Sequence, residues 1–223
     1  MARIADALRN DGAEASRSVR VIGGRFKGRR LKAPTWEGLR PTADKLRETL
    51  FNILAPRIGG ARLLDVYAGT GAVGIEAISR GAAHVTFVER DRRAVRLIEQ
   101  NLAACEVEAA DYTIQVGDAL PALRRLASPP SADPARGTAG DGARDRERRS
   151  PDVDLIWLDP PYELSNVREV LEAAARLLDP AGLLILERAT RRSPEVPGSL
   201  TLVREVKSGD STLTFLALSS ETP

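Results

Sequence analysis

Two successive prolines follow an acidic residue directly after the apolar run VDLIWL, in the motif LDPPY at residues 158–162. Because proline fixes φ, this turn is rigid and can hold the Asp159 carboxylate and the Pro160 carbonyl in one direction. Two acceptors held in this way can take both hydrogens of an exocyclic base amine and aim its lone pair at a methyl donor. Tyr162 adds a ring on which a base can lie once it has left its own stack. The candidate catalytic residues are Asp159, Pro160, Pro161 and Tyr162.

The acid at position 159 bears on which base is the target. Guanine has an N–H donor at the ring nitrogen beside its amine, which suits a carboxylate that only accepts hydrogen bonds. Adenine and cytosine have an acceptor at that position, which suits an amide. Asp159 therefore favours guanine, although some adenine methylases of DNA also carry DPPY.

A glycine-rich turn lies between a strand and a helix in LLDVYAGTGAVGIEA, residues 63–77. Gly69, Gly71 and Gly74 have the spacing GxGxxG, which lets a backbone approach a ligand closely and which dinucleotide-binding folds share. Asp65 at the end of the strand favours S-adenosylmethionine. A carboxylate suits the charged methionine moiety of that cofactor but would repel a pyrophosphate.

Two further acids follow the next two strands. Glu89 ends HVTFVE, where an acid commonly accepts hydrogen bonds from the two hydroxyls of a ribose. In GDA, residues 117–119, Asp118 can accept from an adenine amine while the Ala119 amide donates to the ring; the alternative is that Asp118 only caps the next helix. The candidate cofactor-binding residues are Asp65, Tyr67, Ala68, Gly69, Thr70, Gly71, Glu89, Arg90, Asp118 and Ala119.

Positive charge is concentrated at the beginning of the chain. Residues 1–47 contain twelve lysines and arginines against five acids, a net charge of +7, whereas the whole chain carries +2. A basic arm therefore precedes a mildly acidic body. Such an asymmetry favours a polyanionic partner such as RNA, with a merely solvated basic tail as the alternative.

Other classes of site are disfavoured by composition. One cysteine, Cys105, and one histidine, His84, can form neither a disulfide framework nor a cysteine or histidine metal cluster within one chain. No stretch approaches the roughly 18 apolar residues of a membrane span, and the start of the chain lacks the apolar run of a signal peptide. We expect a cytoplasmic monomer without a metal or a membrane partner.

The elements that must position these residues alternate between strand and helix. The strands are RLLDV, HVTFVE, YTIQV, VDLIWL and GLLILE, with helices at about 71–80, 91–104, 119–126 and 166–178. This alternation predicts an α/β, doubly wound fold with a mostly parallel sheet covered on both faces. SLTLVREV and STLTFLAL, joined by a tight turn, predict an antiparallel C-terminal hairpin, which brings the sheet to seven strands.

Three segments flank or interrupt this core. Residues 1–18 are predicted to be a mobile leader, and 19–41 a small basic N-terminal β-hairpin. The main domain, 42–223, is predicted to open with a helix that Thr42 caps. It is interrupted at 128–150 by a stretch with no aliphatic residue larger than alanine, which we expect to be disordered.

The segments RVIGGRFKGRRL, LRPTADKLRETLFNIL, LLDVYAGTGAVGIEAISRGA, FVERD, GDA and LDPPY, in this order, resemble the bacterial 16S rRNA guanine-N2 methyltransferase family, RsmD. The resemblance covers residues 19–218 apart from the insertion. It implies a Rossmann-like class I methyltransferase fold, S-adenosylmethionine as cofactor, and methylation of one guanine of 16S rRNA within the small ribosomal subunit. It also implies RNA contacts from the basic N-terminal region, at Arg20, Arg25, Lys27, Arg29, Arg30, Lys32, Arg40 and Lys45.

Three other functions stay open at this point. A nicotinamide-dependent oxidoreductase would explain the glycine spacing but not LDPPY or the basic arm. A non-catalytic RNA-binding or ribosome-assembly module would explain the arm. Methylation of a DNA adenine or a protein glutamine would use the same core.

Overall fold

The computed structural model describes residues 19–34, 36, 44–128 and 153–220. The predicted leader, Arg40, the Thr42 cap and all of the predicted insertion except Ser128 lie outside these ranges.

Seven strands of the described residues form one sheet, in the order β5-β4-β3-β6-β7-β9-β8. Strands β3 to β7 pair in parallel, and β9 pairs antiparallel with both β7 and β8. A two-stranded antiparallel hairpin, β1-β2, precedes the sheet. The strands are β1 Val19–Arg20, β2 Arg30–Leu31, β3 Arg62–Val66, β4 His84–Glu89, β5 Tyr112–Val116, β6 Val153–Leu158, β7 Leu178–Ala189, β8 Leu200–Ser208 and β9 Ser211–Leu218. The predicted fold class is confirmed.

Helices cover both faces of this sheet. They are α1 Asp44–Ile58, α2 Ala72–Ser79, α3 Arg92–Ala104, α4 Ala119–Ala127 and α5 Val167–Ala175, with a short 3-10 helix at Ala109–Asp111. The hairpin, α1, α2 and α3 share one hydrophobic cluster with one face, and α4 and α5 share a second cluster with the other. Because both faces are covered, β3 and β6 are apolar along most of their length rather than alternating.

The structure moves one predicted boundary. Helix α5 ends at Ala175 rather than near 178, and β7 begins at Leu178 rather than at 182. Leu178 pairs with Val153, and the register of β6 and β7 then shifts before Leu155 meets Leu183. The extra turn of helix is therefore replaced by strand pairing that lengthens β7.

The third glycine of GxGxxG serves packing. A Cβ added at Gly74 would lie 2.2 Å from Cε1 of Phe87 and 2.8 Å from Cγ1 of Val85, both on β4. Helix α2 therefore approaches the sheet more closely than any side chain would allow. This approach fixes the beginning of α2 relative to the end of β3, where the glycine turn lies.

The N-terminal hairpin is anchored to α2 by buried polar contacts. The amides of Ile22 and Gly23 donate to the two carboxylate oxygens of Glu76, at 2.7 and 2.8 Å, and Nε of Arg80 donates to the same carboxylate at 2.7 Å. The Phe26 amide donates to Oγ of Ser79 at 2.9 Å. Four apolar residues of the hairpin join the cluster that α2 enters: Val19, Val21, Phe26 and Leu31.

The fully buried Glu76 carboxylate should matter for stability, because it satisfies three donors that would otherwise be left unpaired. We expect Glu76→Gln to lower the free energy of unfolding by about 1 to 3 kcal/mol, since the amide cannot accept at both positions. Urea denaturation measures this change. Glu99→Gln, at an exposed position of α3, is the matched control and should change stability by less than about 0.5 kcal/mol. Equal effects for the two variants would contradict the anchoring role.

Candidate active site

Five neighbouring parallel strands each bring an acid to the same edge of the sheet. Across the sheet these acids are Asp118 just after β5, Glu89 on β4, Asp65 on β3, Asp159 just after β6 and Glu187 on β7. The order of the strands reverses between β3 and β6, and in open α/β sheets the crevice at such a point is where ligands bind. The cofactor-binding residues predicted on β3 to β5 therefore lie on one side of the crevice, and the predicted catalytic motif lies on the other.

The glycine turn that follows β3 has a strained backbone. Gly69 and Gly71 have φ of 56° and 75°, and Tyr67, which is not a glycine, has φ of 64°. The amides of Tyr67 and Ala68 both donate to the carbonyl of Val88 on β4, at 3.0 and 3.1 Å. A non-glycine residue in this region costs about 1 to 3 kcal/mol and is found mainly at functional sites. The two hydrogen bonds to Val88 hold the turn in this conformation against that cost.

Glu89 holds the same turn through its side chain. Its Oε2 accepts from the Gly69 amide at 2.9 Å, and its Oε1 accepts from the amides of Arg90 and Asp91, both at 2.8 Å. The residue predicted to bind a ribose thus also ties the end of β4 to the glycine turn. These bonds fix the direction of the carboxylate.

Asp65 is buried at the end of β3, with 1% of its surface exposed. Its Oδ2 accepts from the Gly74 amide in the first turn of α2, at 2.9 Å. Burial raises the pKa of Asp65 to about 7; the charge of Glu89 adds to this rise, and the bond from Gly74 opposes it. A cation placed beside this carboxyl would favour its ionised form.

Asp118, with Arg90 and Tyr67 near it, forms the outer part of the predicted cofactor-binding side of the crevice. Asp118 precedes α4, but its side chain makes no capping hydrogen bond, so the alternative of a plain helix cap is not supported. Instead Oδ1 of Asp118 lies 3.4 Å from Nη1 of Arg90. Burial raises the pKa of the nearby Tyr67 to about 12. Ala119 begins α4, so its amide belongs to the unpaired first turn of a helix.

The predicted catalytic motif begins where β6 ends. The Asp159 amide donates to the carbonyl of Val66 at 3.4 Å, which joins this motif to the end of β3. Burial raises the pKa of Asp159 well above its usual range, and the charges of Glu187 and Asp65 raise it further. Pro160 is buried and Pro161 is exposed. Tyr162 is 50% exposed, which leaves its side chain accessible to a ligand.

This motif is supported by side chains from β7, from β9 and from the segment that follows β7, none of which was predicted from the sequence. Oη of Tyr162 lies 3.2 Å from Oγ of Ser211, which in turn donates to Oε1 of Glu187 at 3.0 Å. The guanidinium of Arg192 donates to the carbonyl of Tyr162. A signal for Glu187 was available, since it ends the apolar run GLLILE much as Glu89 ends HVTFVE. Ser211 and Arg192 carry no comparable signal.

Several of the predicted RNA-binding residues have partners within the chain. Arg25 pairs with Asp111 at 2.9 Å, and Arg29 donates to the Ala104 carbonyl at 2.8 Å and lies 3.4 Å from Glu106. These partners lie at the end of α3, just after it or just before β5, at the edge of the sheet opposite the acids. Arg20 lies 3.8 Å from Asp44, and Nζ of Lys32 donates to Gln100. The exposed residues Lys27, Arg30 and Lys45 have no ion pair within the described part of the chain.

Asn101 of α3 connects the N-terminal region with the glycine turn. Its Oδ1 accepts from the Lys32 amide at 2.7 Å, and its Nδ2 donates to the carbonyls of Lys32 at 3.2 Å and of Thr70 at 3.0 Å. Thr70 and Asn101 are both buried. Thr70 is thus bound through its carbonyl to the segment that follows the hairpin.

The described ranges contain neither a membrane-spanning helix nor a metal-binding cluster. No helix there is long and apolar enough to span a membrane. No three of the histidine, cysteine, aspartate or glutamate side chains there are grouped so that they could hold a metal ion.

Comparison with known proteins agrees with the resemblance seen in the motifs. The family model described as Conserved hypothetical protein 95 matches residues 19–134 and 131–217. Ribosomal RNA small subunit methyltransferase D of Escherichia coli K12 is 34% identical over 197 residues, which cover 87% of each chain. The solved structure of Escherichia coli yhhF has a TM-score of 0.71 and 29% identity, and covers 92% of this chain and 99% of that one. The structure of SMU.776 complexed with SAH shares the fold, with a TM-score of 0.54, 15% identity, and coverage of 76% of this chain and 48% of that one.

The raised pKa of Asp65 predicts a dependence of stability on pH. Between its ordinary value of 3.8 and about 7, the folded chain keeps a proton that the unfolded chain has released. The free energy of unfolding therefore falls as the pH rises through this window. An asparagine at position 65 does not titrate in this window. Between pH 5 and pH 8 we expect the free energy of unfolding of Asp65→Asn to rise by about 2 to 3 kcal/mol relative to that of the unsubstituted chain. Urea denaturation at each pH measures this difference. A difference that stays constant with pH would contradict the assignment.

Proposed function

The chain belongs to the RsmD family, and on that premise we propose that it transfers the methyl group of S-adenosylmethionine to the exocyclic N2 amine of a guanine in 16S rRNA of the small ribosomal subunit. One observation carries this proposal. The rigid Asp159-Pro160 turn follows Leu158, whose register partner on β3 is Val66, directly before the glycine turn. The amine acceptors and the cofactor turn therefore lie side by side. We further propose that the enzyme is a cytoplasmic monomer that needs no metal.

The acids of β3, β4 and β5 fit this cofactor. When bound, S-adenosylmethionine supplies a methyl group that its sulfonium has already activated. The buried Asp65 carboxyl can offset positive charge at the end of β3. Glu89, which three backbone amides hold in place, retains capacity to accept from ribose hydroxyls. The Asp118 side chain is 65% exposed and can accept from an adenine amine.

The residues of the DPPY turn act on the target amine. An exocyclic amine is a poor nucleophile because its lone pair is delocalised into the ring. The Asp159 carboxylate and the Pro160 carbonyl accept its two hydrogens, which favours a pyramidal nitrogen whose lone pair points at the methyl group. Tyr162 supports the ring of the extruded base, and its own position is fixed by Ser211 and Arg192. The amine loses its proton after the transfer, so no dedicated general base is required.

The basic N-terminal region supplies contacts to RNA phosphates in this proposal. We assign this role to residues 19–41 together with Lys45. Arg25, Arg29 and Lys32 are partly engaged with partners of their own chain. Lys27, Arg30 and Lys45 are exposed and have no ion pair among the described residues, so they are the most available for phosphate.

The activity can be tested with tritiated S-adenosylmethionine and small ribosomal subunits from cells that lack the endogenous enzyme. Digestion of the RNA should yield labelled N2-methylguanosine. Asp159→Ala should lower the rate by about 100-fold or more, because a directed electrostatic contact to the reacting group is lost. Glu108→Ala, exposed far from the acidic edge, is the control and should leave the rate unchanged. Label in DNA or protein, with none in the ribosomal RNA, would show that the chain is a methyltransferase but would contradict the proposed substrate.

Phosphate contacts predict a dependence of RNA affinity on salt. We expect Lys27→Ala combined with Arg30→Ala to weaken RNA binding and to reduce the slope of log K against log salt by about one for each residue. Filter binding over a range of salt concentrations measures this slope. Arg176→Ala, an exposed arginine at the end of α5, is the control. Equal slopes for the double variant and the control would remove these residues from the RNA interface.

A further inference from the structure

We propose that Glu187 is a specificity-determining residue, whose free carboxylate oxygen accepts the N1–H of the target guanine. This inference rests on the proposed function, and it assigns the choice of base to a residue outside the DPPY motif.

The position of Glu187 follows from strand register. Leu158 of β6 pairs with Leu186 of β7, so Asp159 and Glu187 are the next residues on two paired parallel strands. Neighbouring strands lie about 5 Å apart. Side chains alternate along a strand, so Asp159 and Glu187 lie on the same face of the sheet as Trp157 and Ile185. The two carboxyls therefore lie side by side at the edge where the target amine is held.

One oxygen of Glu187 lacks a hydrogen bond. Oε1 accepts from Oγ of Ser211 at 3.0 Å, whereas Oε2 is buried and has no partner within the described residues. Only 6% of the Glu187 surface is exposed. A buried polar atom without a partner costs about 1 to 3 kcal/mol, and more when it is charged. Such an atom beside the DPPY turn is well placed to receive a donor from a ligand.

The edge of guanine supplies a matching set of donors. Guanine presents its N1–H and the two hydrogens of its N2 amine side by side. The Asp159 carboxylate and the Pro160 carbonyl take the two amine hydrogens, which leaves the N1–H for Oε2 of Glu187. Adenine and cytosine have a lone pair at the corresponding ring nitrogen. That lone pair would face the Glu187 carboxylate without a hydrogen between them, so binding of either base would leave both groups unpaired.

The electrostatics of the pair agree with this assignment. Burial raises the pKa of Glu187, and the Ser211 bond opposes that rise. The described groups that face this carboxyl are Asp159 from the DPPY turn, Ser211 from β9 and, through Ser211, Tyr162. No cation is among them. The N–H donors of guanine would therefore stabilise the ionised forms of both carboxyls.

The test compares guanine with 2-aminopurine at the methylated position. 2-Aminopurine keeps the 2-amino group but has an unprotonated N1. Small subunits are reconstituted from 16S rRNA that carries one base or the other, and methyl transfer is measured for the unsubstituted enzyme and for Glu187→Gln. We expect the unsubstituted enzyme to prefer guanine by about 100-fold or more. In Glu187→Gln this preference should fall at least tenfold, because the amide can donate to the bare N1.

Control variants separate specificity from folding. Glu187→Asp keeps an acceptor and should keep the preference for guanine at a lower rate. Glu108→Gln should change neither the rate nor the preference. Loss of structure would lower the rates on both RNAs together and leave their ratio unchanged. If Glu187→Gln gives no measurable turnover, the dissociation constants of the two RNAs are compared instead of the rates. Binding of the RNA that carries 2-aminopurine is followed by its fluorescence.

The outcomes distinguish the inference from the function on which it rests. An unsubstituted enzyme that makes no N2-methylguanosine overturns the proposed function. Two other outcomes leave the proposed function intact and overturn the role of Glu187. In the first, the unsubstituted enzyme methylates guanine and 2-aminopurine equally. In the second, Glu187→Gln discriminates between the two bases as strongly as the unsubstituted enzyme.

Discussion

The parallel pairing of β3 with β6 is the constraint on which the site depends. Val66 and Leu158 are opposite each other in this pairing, so the glycine turn and the DPPY turn leave the sheet as neighbours. Strand order reverses here, which keeps helices away from the carboxyl ends and leaves a crevice between the two turns. The amide of Asp159 bonded to the carbonyl of Val66 continues this pairing by one residue beyond the strands. The predicted cofactor turn and the predicted catalytic turn are therefore joined directly to each other.

A row of acids at one edge of a sheet is unfavourable unless each acid has a donor. Asp65 receives the Gly74 amide and Glu89 receives three amides, so the backbone of the glycine turn and of the two helices that follow stabilises the inner part of the row. Among the described residues, Glu187 receives only the Ser211 hydroxyl. The row is thus well satisfied on the cofactor side and short of donors on the catalytic side. That imbalance is what a base rich in N–H groups would correct.

Much of this arrangement could be predicted from sequence because it is local. The alternation of apolar strands with amphipathic helices indicated the sheet, and acids at strand ends indicated Asp65 and Glu89. The partners of Glu187 could not be predicted in this way. Ser211 reaches it only because β9 inserts between β7 and β8, which no local pattern specifies. For the same reason the charge run could not show that Arg25 and Arg29 pair with Asp111 and Glu106, which lie more than 70 residues away in sequence.

The anchoring of the hairpin along α2 has a consequence for the geometry of any RNA that the enzyme holds. The hairpin turn at residues 24–29 packs beside Ser79 at the amino edge of the sheet, whereas the acids and the DPPY turn lie at the carboxyl edge. The six residues of β4 separate these edges by about 20 Å, which is the length of about six stacked nucleotides of one strand. The hairpin turn and the crevice are therefore held at a fixed distance from each other. Under the proposed function, an RNA that contacts both must therefore extend about 20 Å from the target base to the hairpin.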